Sequence, residues 1–134
     1  VALIAIFIAF EADAGDHRIA FVTSTSGLTD LSTWDEAGGA TGLAAADTIC
    51  RVRAASAGLK SPENFVAWIS SSEDDAYCRI HGLSGKKDEM CGQAELPVAA
   101  GPWVRTDGYP FAPEISRLLS PESLVFAPLV LDEN

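Results

Sequence analysis

The segment between Thr41 and Gly58 is the feature that most constrains the fold of this chain. Its apolar and small residues recur at helical spacing, at Leu43, Ala46, Ile49, Cys50, Val52 and Ala55 or Ala57. Thr41 suits the N-cap position, Gly58 suits a left-handed C-cap, and Pro62 prevents the helix from restarting. The sequence therefore predicts one substantial helix, and most of the other apolar runs are short enough to be strands.

The polar face of this helix carries Asp47, Arg51 and Arg53. Asp47 and Arg51 are four residues apart, a spacing at which an ion pair stabilises a helix by about 0.2–0.5 kcal/mol. We interpret this face as a solvated surface rather than as an arginine binding site.

Short strands flank the helix. Residues 18–24 and 65–69 are rich in β-branched and aromatic residues, and the nearly continuous apolar character of 65–69 indicates burial on both faces. Residues 25–42 and 70–97 are polar and irregular, and they predict long loops. A loop as long as 25–42 is either functional or held by contacts with other parts of the chain. One main helix among several strands predicts an α+β domain.

The second half of the chain contains a hairpin signal. An Asp-Gly pair at 107–108 separates the apolar runs at 103–106 and 109–111, and such a pair accepts the positive φ angles of a tight hairpin turn. The pattern then predicts a short helix over 113–119. A strand is predicted over 124–131, placed at a sheet edge or interrupted because it contains a proline.

Length and charge limit the class of protein. The chain has 134 residues, 9 Lys and Arg against 19 Asp and Glu, and a net charge of −10, with 48% hydrophobic residues. This composition predicts a single globular domain. It argues against nucleic acid or an anionic membrane as a partner, because both require a basic surface. No run is long enough to predict a membrane span.

The first residues read V-A-L-I-A-I-F-I-A-F, followed by the small-x-small pattern Ala12-Asp13-Ala14. This matches the apolar core and cleavage site of a secretory signal, so we interpret residues 1–14 as a signal-peptide remnant and residues 15–134 as the N-terminal part of one domain. An alternative is a buried strand of the domain itself. A strand donated to a neighbouring subunit is a third interpretation.

The three cysteines are Cys50, Cys78 and Cys91. Cys78 and Cys91 flank a polar, Gly-containing loop, so they are the natural local disulfide, worth about 3 kcal/mol in the chain-entropy model. An odd count leaves Cys50 unpaired here. Its thiol either pairs with a cysteine beyond Asn134 or is a buried apolar thiol.

Few residues suggest ligand chemistry. Acidic clusters flank the cysteine loop and offer weak calcium ligands, the candidates being Asp74, Asp75, Asp88 and Glu89. A solvated acidic loop is the favoured interpretation, and we expect no other cofactor. Trp34, Trp103, Tyr109 and Phe111 could form an aromatic platform, with Trp103 and Tyr109 as the candidate ligand contacts beside the hairpin turn. The H-G-L-S-G stretch at 81–85 lacks the G-x-S-x-G nucleophile elbow.

Six segments together resemble a bacterial surface-protein family of uncharacterised function, similar to the endostatin-like branch of the C-type-lectin-like fold. They are FVTS at 21–24, GLAAADTIC at 42–50, AGL at 57–59, FVAWIS at 65–70, GPWVRTDG at 101–108 and LVLDE at 129–133. The resemblance implies one main helix on a twisted antiparallel sheet with long loops. It also implies a disulfide from Cys50 to a cysteine near the domain's C-terminus, and a chain that is incomplete at that end.

The resemblance does not carry over every property of lectins. The calcium-dependent sugar loop of C-type lectins reads E-P-N or Q-P-D, and Glu95-Leu96-Pro97 is not that loop. Endostatin is linked to basic heparin-binding surfaces, from which a net charge of −10 departs.

We therefore expect a non-catalytic exported recognition or adhesion module, located outside the cell, on its surface or in the periplasm, that binds a glycan or a surface protein. Two alternatives remain. One is a secreted hydrolase completed by residues beyond Asn134, with carboxylates such as Asp74 or Asp88 as acid and base. The other is a structural subunit of a surface assembly that uses its first residues as a donated strand.

Overall fold

The computed structural model describes residues 17–98, 100–120 and 133, together with the backbone of residues 6–9. The described chain forms an α+β domain, as the sequence predicts. The strands are β1 (Ile6–Ala9), β2 (Arg18–Val22), β3 (Phe65–Ala67), β4 (Trp103–Arg105) and β5 (Pro110–Ala112), and the helices are α1 (Gly42–Ser56) and α2 (Ala76–Ile80). Short 3₁₀ turns connect several of them.

The strands form one sheet in the order β3-β1-β2-β4-β5. Most pairs are antiparallel, but β2 and β4 are parallel. The expectation of an antiparallel sheet is therefore wrong at this pair, and the sheet is mixed. The reason is the connection: the chain from β2 to β4 passes through α1, β3 and α2, and so long a crossover can return the chain in the same direction.

Residues 6–9 lie inside the sheet. β1 pairs with β2 on one side and with β3 on the other, with Ile8 opposite both Ala20 and Val66. This is the arrangement that the alternative interpretation, a strand of this domain, predicts, and both partners belong to the same chain. Cleavage after residue 14 stays a prediction, since residues 10–16 lie outside the described part.

The sheet buries side chains on both faces. On one face, Phe21 and Phe65 pack with Ala46 and Cys50 of α1, and the two phenyl rings are 5.3 Å apart. On the other face, fully buried Trp103 is the largest side chain of a second cluster, to which Ala20, Tyr77, Ile80, Phe111 and Ile115 belong. Ala20 and Phe21 are adjacent in β2 and join opposite clusters, as the pleat of a strand requires.

Helix α1 confirms the predicted segment. It begins after Thr41, ends at Ser56, and is followed by Gly58 at a φ of +71°. Its buried residues are Ala45, Ala46, Ile49, Cys50 and Ala54, all of them apolar or small. The small side chains on this face of the helix leave space, and Phe21 and Phe65 of the sheet fill it.

The charged face of α1 is not a solvated surface, contrary to the sequence interpretation. Asp47 lies 2.6 Å from Nη2 of Arg79, whereas its distance to Arg51 is 4.0 Å. Asp47 also accepts the backbone N–H of Ala67, and Arg79 donates to the carbonyls of Ala67 and Ile69. The polar groups of α1 therefore bind the edge of β3 and the helix α2.

Residues 76–80 form a short helix that the sequence analysis missed. Four of its five residues are buried, namely Ala76, Tyr77, Cys78 and Ile80. A helix of one turn is too short for periodicity to reveal it. It carries one half of the predicted disulfide, which is confirmed: Cys78 and Cys91 are bonded with their Cα atoms 5.3 Å apart.

The hairpin prediction is confirmed. β4 and β5 pair in antiparallel fashion, and Gly108 in the turn has a φ of +82°. The short helix predicted over 113–119 appears as a 3₁₀ helix at Ile115–Leu119. The strand predicted over 124–131 lies outside the described residues.

Cys50 is fully buried and has no disulfide partner within the described chain. Its thiol donates to the carbonyl of Ala46 in the preceding turn. Burial and the charge of nearby Asp47 raise the pKa of this thiol well above its ordinary value. The surroundings match the buried apolar thiol of the sequence analysis, and a partner beyond Asn134 stays a prediction.

The burial of Cys50 is testable by thiol reactivity. An aromatic disulfide reagent at neutral pH should leave Cys50 unmodified in the folded protein, because thiolate is scarce and the sulfur is inaccessible. In urea, with the Cys78–Cys91 bond intact, the reagent should modify one thiol per chain, that of Cys50. Rapid modification of the folded protein would contradict an enclosed sulfur, and absence of a thiol in urea would reveal a second disulfide.

The position of β1 is testable by truncation. Removing residues 1–14 should abolish cooperative thermal unfolding, because β2 and β3 would lose the strand that joins them. Ile8→Pro should reproduce much of this loss, since proline in a strand paired on both sides removes a ladder hydrogen bond. Ile8→Val, which keeps the N–H, is the control. A truncated chain with an unchanged melting temperature would support a dispensable leader.

Candidate functional site

A cleft open to solvent lies between residues 25–28 and residues 33–36, with a volume of about 370 Å³. It belongs to the long polar loop that precedes α1. The sequence analysis marked this loop as either functional or held by contacts with other parts of the chain. The structure shows that contacts hold it, and that they leave a concave surface.

Trp34 connects the two walls of the cleft. It lies between the 3₁₀ helices Leu31–Thr33 and Asp35–Ala37, and its indole Nε1 donates to the carbonyl of Leu28 over 2.8 Å. Asp30 caps the first of these helices by accepting the backbone N–H of Ser32. The irregular loop is therefore fixed by hydrogen bonds, and the bond from Trp34 to Leu28 closes the five residues between them into a turn.

Gly27 is required for this approach of the two walls. A Cβ atom at Gly27 would lie 2.5 Å from Cε2 of Trp34, so any other residue would displace the indole. Trp34 also packs against the cluster of Ala37, Ala45 and Ile49. Because Ala45 and Ile49 belong to α1, the cleft rests on the main helix.

The cleft carries negative charge. Asp35 and Glu36 are the only charged residues among those that line it. Nη1 of Arg53 lies 3.9 Å from Glu36, a separation at which an ion pair on the surface contributes little. The lining otherwise offers hydroxyl groups and the indole of Trp34.

A buried carboxylate anchors the start of the cleft loop. Glu133 is 2% exposed and accepts hydrogen bonds from both the backbone N–H and the hydroxyl of Ser24, at 2.9 and 2.5 Å. Arg53 donates to the same carboxylate through Nε over 2.6 Å, and it also donates to Ser24. Ser24 directly precedes the cleft, so a residue near the end of the chain fixes one end of the loop.

The proximity of Ser24 and Glu133 does not make a nucleophile and base. Burial alone would raise the pKa of the Glu133 carboxyl, but the hydrogen bonds from Ser24 and Arg53 outweigh it, and the pKa lies below its ordinary value. A carboxylate with a lowered pKa is a weak proton acceptor. This group therefore holds the loop in place and does not activate the serine.

The calcium candidates do not come together as a site. The described residues contain no group of three or more His, Cys, Asp and Glu side chains placed to hold a metal ion. Asp74 accepts the N–H of Gly85, and Asp75 accepts the N–H of Lys87 and pairs with Lys86 at 3.0 Å.

These contacts have a structural role in the cysteine loop. The hydrogen bond from Lys87, then that from Lys86, lowers the pKa of Asp75. Asp88 and Glu89 are exposed at the surface. The two carboxylates suggested for a hydrolase, Asp74 and Asp88, are thus a loop contact and a surface group.

The proposed aromatic platform is not assembled. Trp103 is fully buried, and its Nε1 donates to the carbonyl of Ala100, so the expectation that it contacts a ligand is wrong. Phe111 is buried in the same cluster. Tyr109 is 58% exposed at the hairpin turn, where it lies near Arg105. Among the four aromatic candidates, Trp34 is the one that lines a cleft.

His81 was singled out by sequence only as part of the H-G-L-S-G stretch. Its ring lies 5.2 Å from that of Tyr77, and its Nε2 is buried without a hydrogen-bond partner among the described atoms. Burial, and then the charge of Arg18, lowers its pKa. The neutral ring thus packs against Tyr77, which belongs to the cluster around Trp103.

The anchoring role of Glu133 predicts a specific dependence on pH. A lowered carboxyl pKa stabilises the fold above the ordinary value of 4.5, and this contribution is lost as pH falls through the lowered value. Glu133→Gln should therefore reduce the free energy of unfolding by roughly 2 kcal/mol at neutral pH. The difference from the unmodified chain should shrink below pH 4.5.

Urea unfolding across this pH range measures that difference. Glu89→Gln, at an exposed carboxylate, is the control and should leave the free energy of unfolding nearly unchanged. A constant difference between Glu133→Gln and the unmodified chain at all pH values would contradict the assignment.

No protein-family model, no curated protein and no solved structure matches this chain. Among the described residues, no helix is long and apolar enough to cross a membrane.

Proposed function

We propose that this chain is an exported recognition module of the cell surface or envelope, and that it binds its ligand in the cleft at residues 25–28 and 33–36. The observation that carries the proposal is the way the cleft is built. Trp34 is held by Leu28, by the close approach of Gly27 and by α1, so the concave surface exists without a ligand. A preformed site avoids the cost of ordering a loop on binding.

One feature supports export. Cys78 and Cys91 form a disulfide, and stable disulfides are typical of oxidising compartments. The location we propose is extracellular, on the cell surface or in the periplasm.

The C-type-lectin-like body is part of the same proposal. One main helix packed on a sheet, a cystine-closed loop and long irregular segments are the features that favour it. Recognition by loops on a fixed scaffold suits such an architecture. The loop at 25–36 is the part of this scaffold that offers a concave surface of defined shape.

The test compares two aromatic positions, half-buried Trp34 in the cleft and exposed Tyr109 at the hairpin turn. The purified chain is applied to an array of glycans and of short peptides with neutral, acidic and basic side chains. Trp34→Ala should remove binding, because the wall of the cleft is lost. Tyr109→Ala, which truncates an exposed aromatic residue at the hairpin turn, should leave binding unchanged.

Thermal unfolding of both variants shows whether the fold is retained, and Trp34→Phe provides a milder change where Trp34→Ala destabilises α1. Binding that survives both Trp34 substitutions would place recognition elsewhere and overturn the assignment to the cleft. A chain that binds no probe on the array would count against a recognition role.

A further inference from the structure

The chemistry of the cleft lining selects a class of ligand, and this inference rests on the proposed function. We infer that the cleft binds an organic cation, an ammonium or guanidinium group, carried either by a small amine or by a lysine or arginine side chain. The hydrogen-bonding groups, charge, aromatic wall and size of the lining all favour this class.

The side chains of the lining offer more acceptors than free donors. The only polar atom of the Trp34 indole is its N–H, which already donates to the carbonyl of Leu28. The hydroxyl of Thr33 donates to the carbonyl of Asp30. The carboxylates of Asp35 and Glu36 only accept when ionised. A ligand for this surface should therefore bring several donors, as ammonium and guanidinium groups do.

The negative charge of the cleft is only partly offset by Arg53. Its Nη1 lies 3.9 Å from Glu36, whereas its Nη2 binds Glu133 at 2.5 Å and donates to Ser24. Moving further towards the cleft would take the partner from the buried carboxylate of Glu133, a costly change. Arg53 therefore contributes little at Glu36, and Asp35 and Glu36 keep the lining negatively charged.

The aromatic wall favours the same class. Trp34 lines the cleft with its N–H satisfied internally, so it offers a ligand only the carbon atoms of its ring, and an indole ring attracts cations by about 0.5–2 kcal/mol. The volume of 370 Å³ is at the lower end of the range of ~300–1,000 Å³ for ligand pockets. It suits one cationic group with its apolar stem rather than an extended chain.

A neutral sugar fits this lining less well. Its hydroxyls need donors as well as acceptors, and among the side chains of the lining only the hydroxyls of Thr25 and Ser26 remain to donate. Neutral glycans are therefore the competing ligand class, and the experiment below is designed to separate them.

The experiment uses matched probes on the whole chain. The probes are Nα-acetyl-lysine methylamide, its neutral Nε-acetylated form, butylamine as a free amine and a neutral chitooligosaccharide. Binding is followed by the NMR shift of the Trp34 indole N–H. We expect both amines to bind, and the Nε-acetylated form to bind about tenfold more weakly. Tighter binding of the capped lysine than of butylamine would indicate a peptide side chain as the source.

Charge variants test the role of the carboxylates. Asp35→Asn with Glu36→Gln should weaken amine binding about tenfold and reduce its dependence on salt. Asp88→Asn with Glu89→Gln removes the same charge from exposed positions and should change binding little. Melting temperatures of both double variants show that the fold is retained.

Three outcomes would overturn the inference: equal binding of the charged and Nε-acetylated probes, binding of the neutral oligosaccharide alone, or unchanged amine binding in Asp35→Asn/Glu36→Gln. The proposed function is judged separately. If Trp34→Ala removes binding of a neutral glycan, the cleft is the recognition site and only its ligand class is wrong.

Discussion

The pair formed by Asp47 and Arg79 is the interaction on which the arrangement of this domain depends. The two side chains are 16% and 9% exposed and join α1 to α2 across the edge of β3. They also satisfy an N–H and two carbonyls of residues 67 and 69 at that edge. Removing one partner of a buried pair typically costs about 3–5 kcal/mol. The outer edge of β3 is thereby blocked to other chains, a common protection of edge strands.

Helix α1 connects this ion pair to the rest of the molecule. Asp47 links the helix to β3 and, through Arg79, to α2, whose Cys78 begins the disulfide loop. Arg53, further along, binds Glu133 and so fixes Ser24 at the start of the cleft. Ile49, buried between these positions, packs with Trp34. Three residues within two turns of one helix thus position the sheet edge, the cystine loop and the cleft.

The sequence predicts the structural features that are determined by residues close together in the chain. The limits of α1, the Asp107-Gly108 hairpin and the local disulfide were accessible because spacing and turn chemistry determine them. The parallel pairing of β2 with β4, the partner of Asp47 and the burial of Trp103 depend on distant contacts, for which one sequence contains no signal. For the region of the cleft, the sequence predicts only a long loop that is either functional or held by contacts with other parts of the chain.

The distribution of charge connects the fold with the cleft. Six of the nine lysines and arginines form ion pairs within the described chain, at Arg51, Arg53, Arg79, Lys86, Arg105 and Arg117. The fold thus uses most of its positive charge internally, while 19 acidic residues leave a surplus of negative charge. Such a surplus attracts cations over distances of about 8 Å at physiological salt. A surplus of this sign opposes the approach of phosphate and sulfate polymers, and it is the electrostatic basis of the cation binding that we propose for the cleft at Asp35 and Glu36.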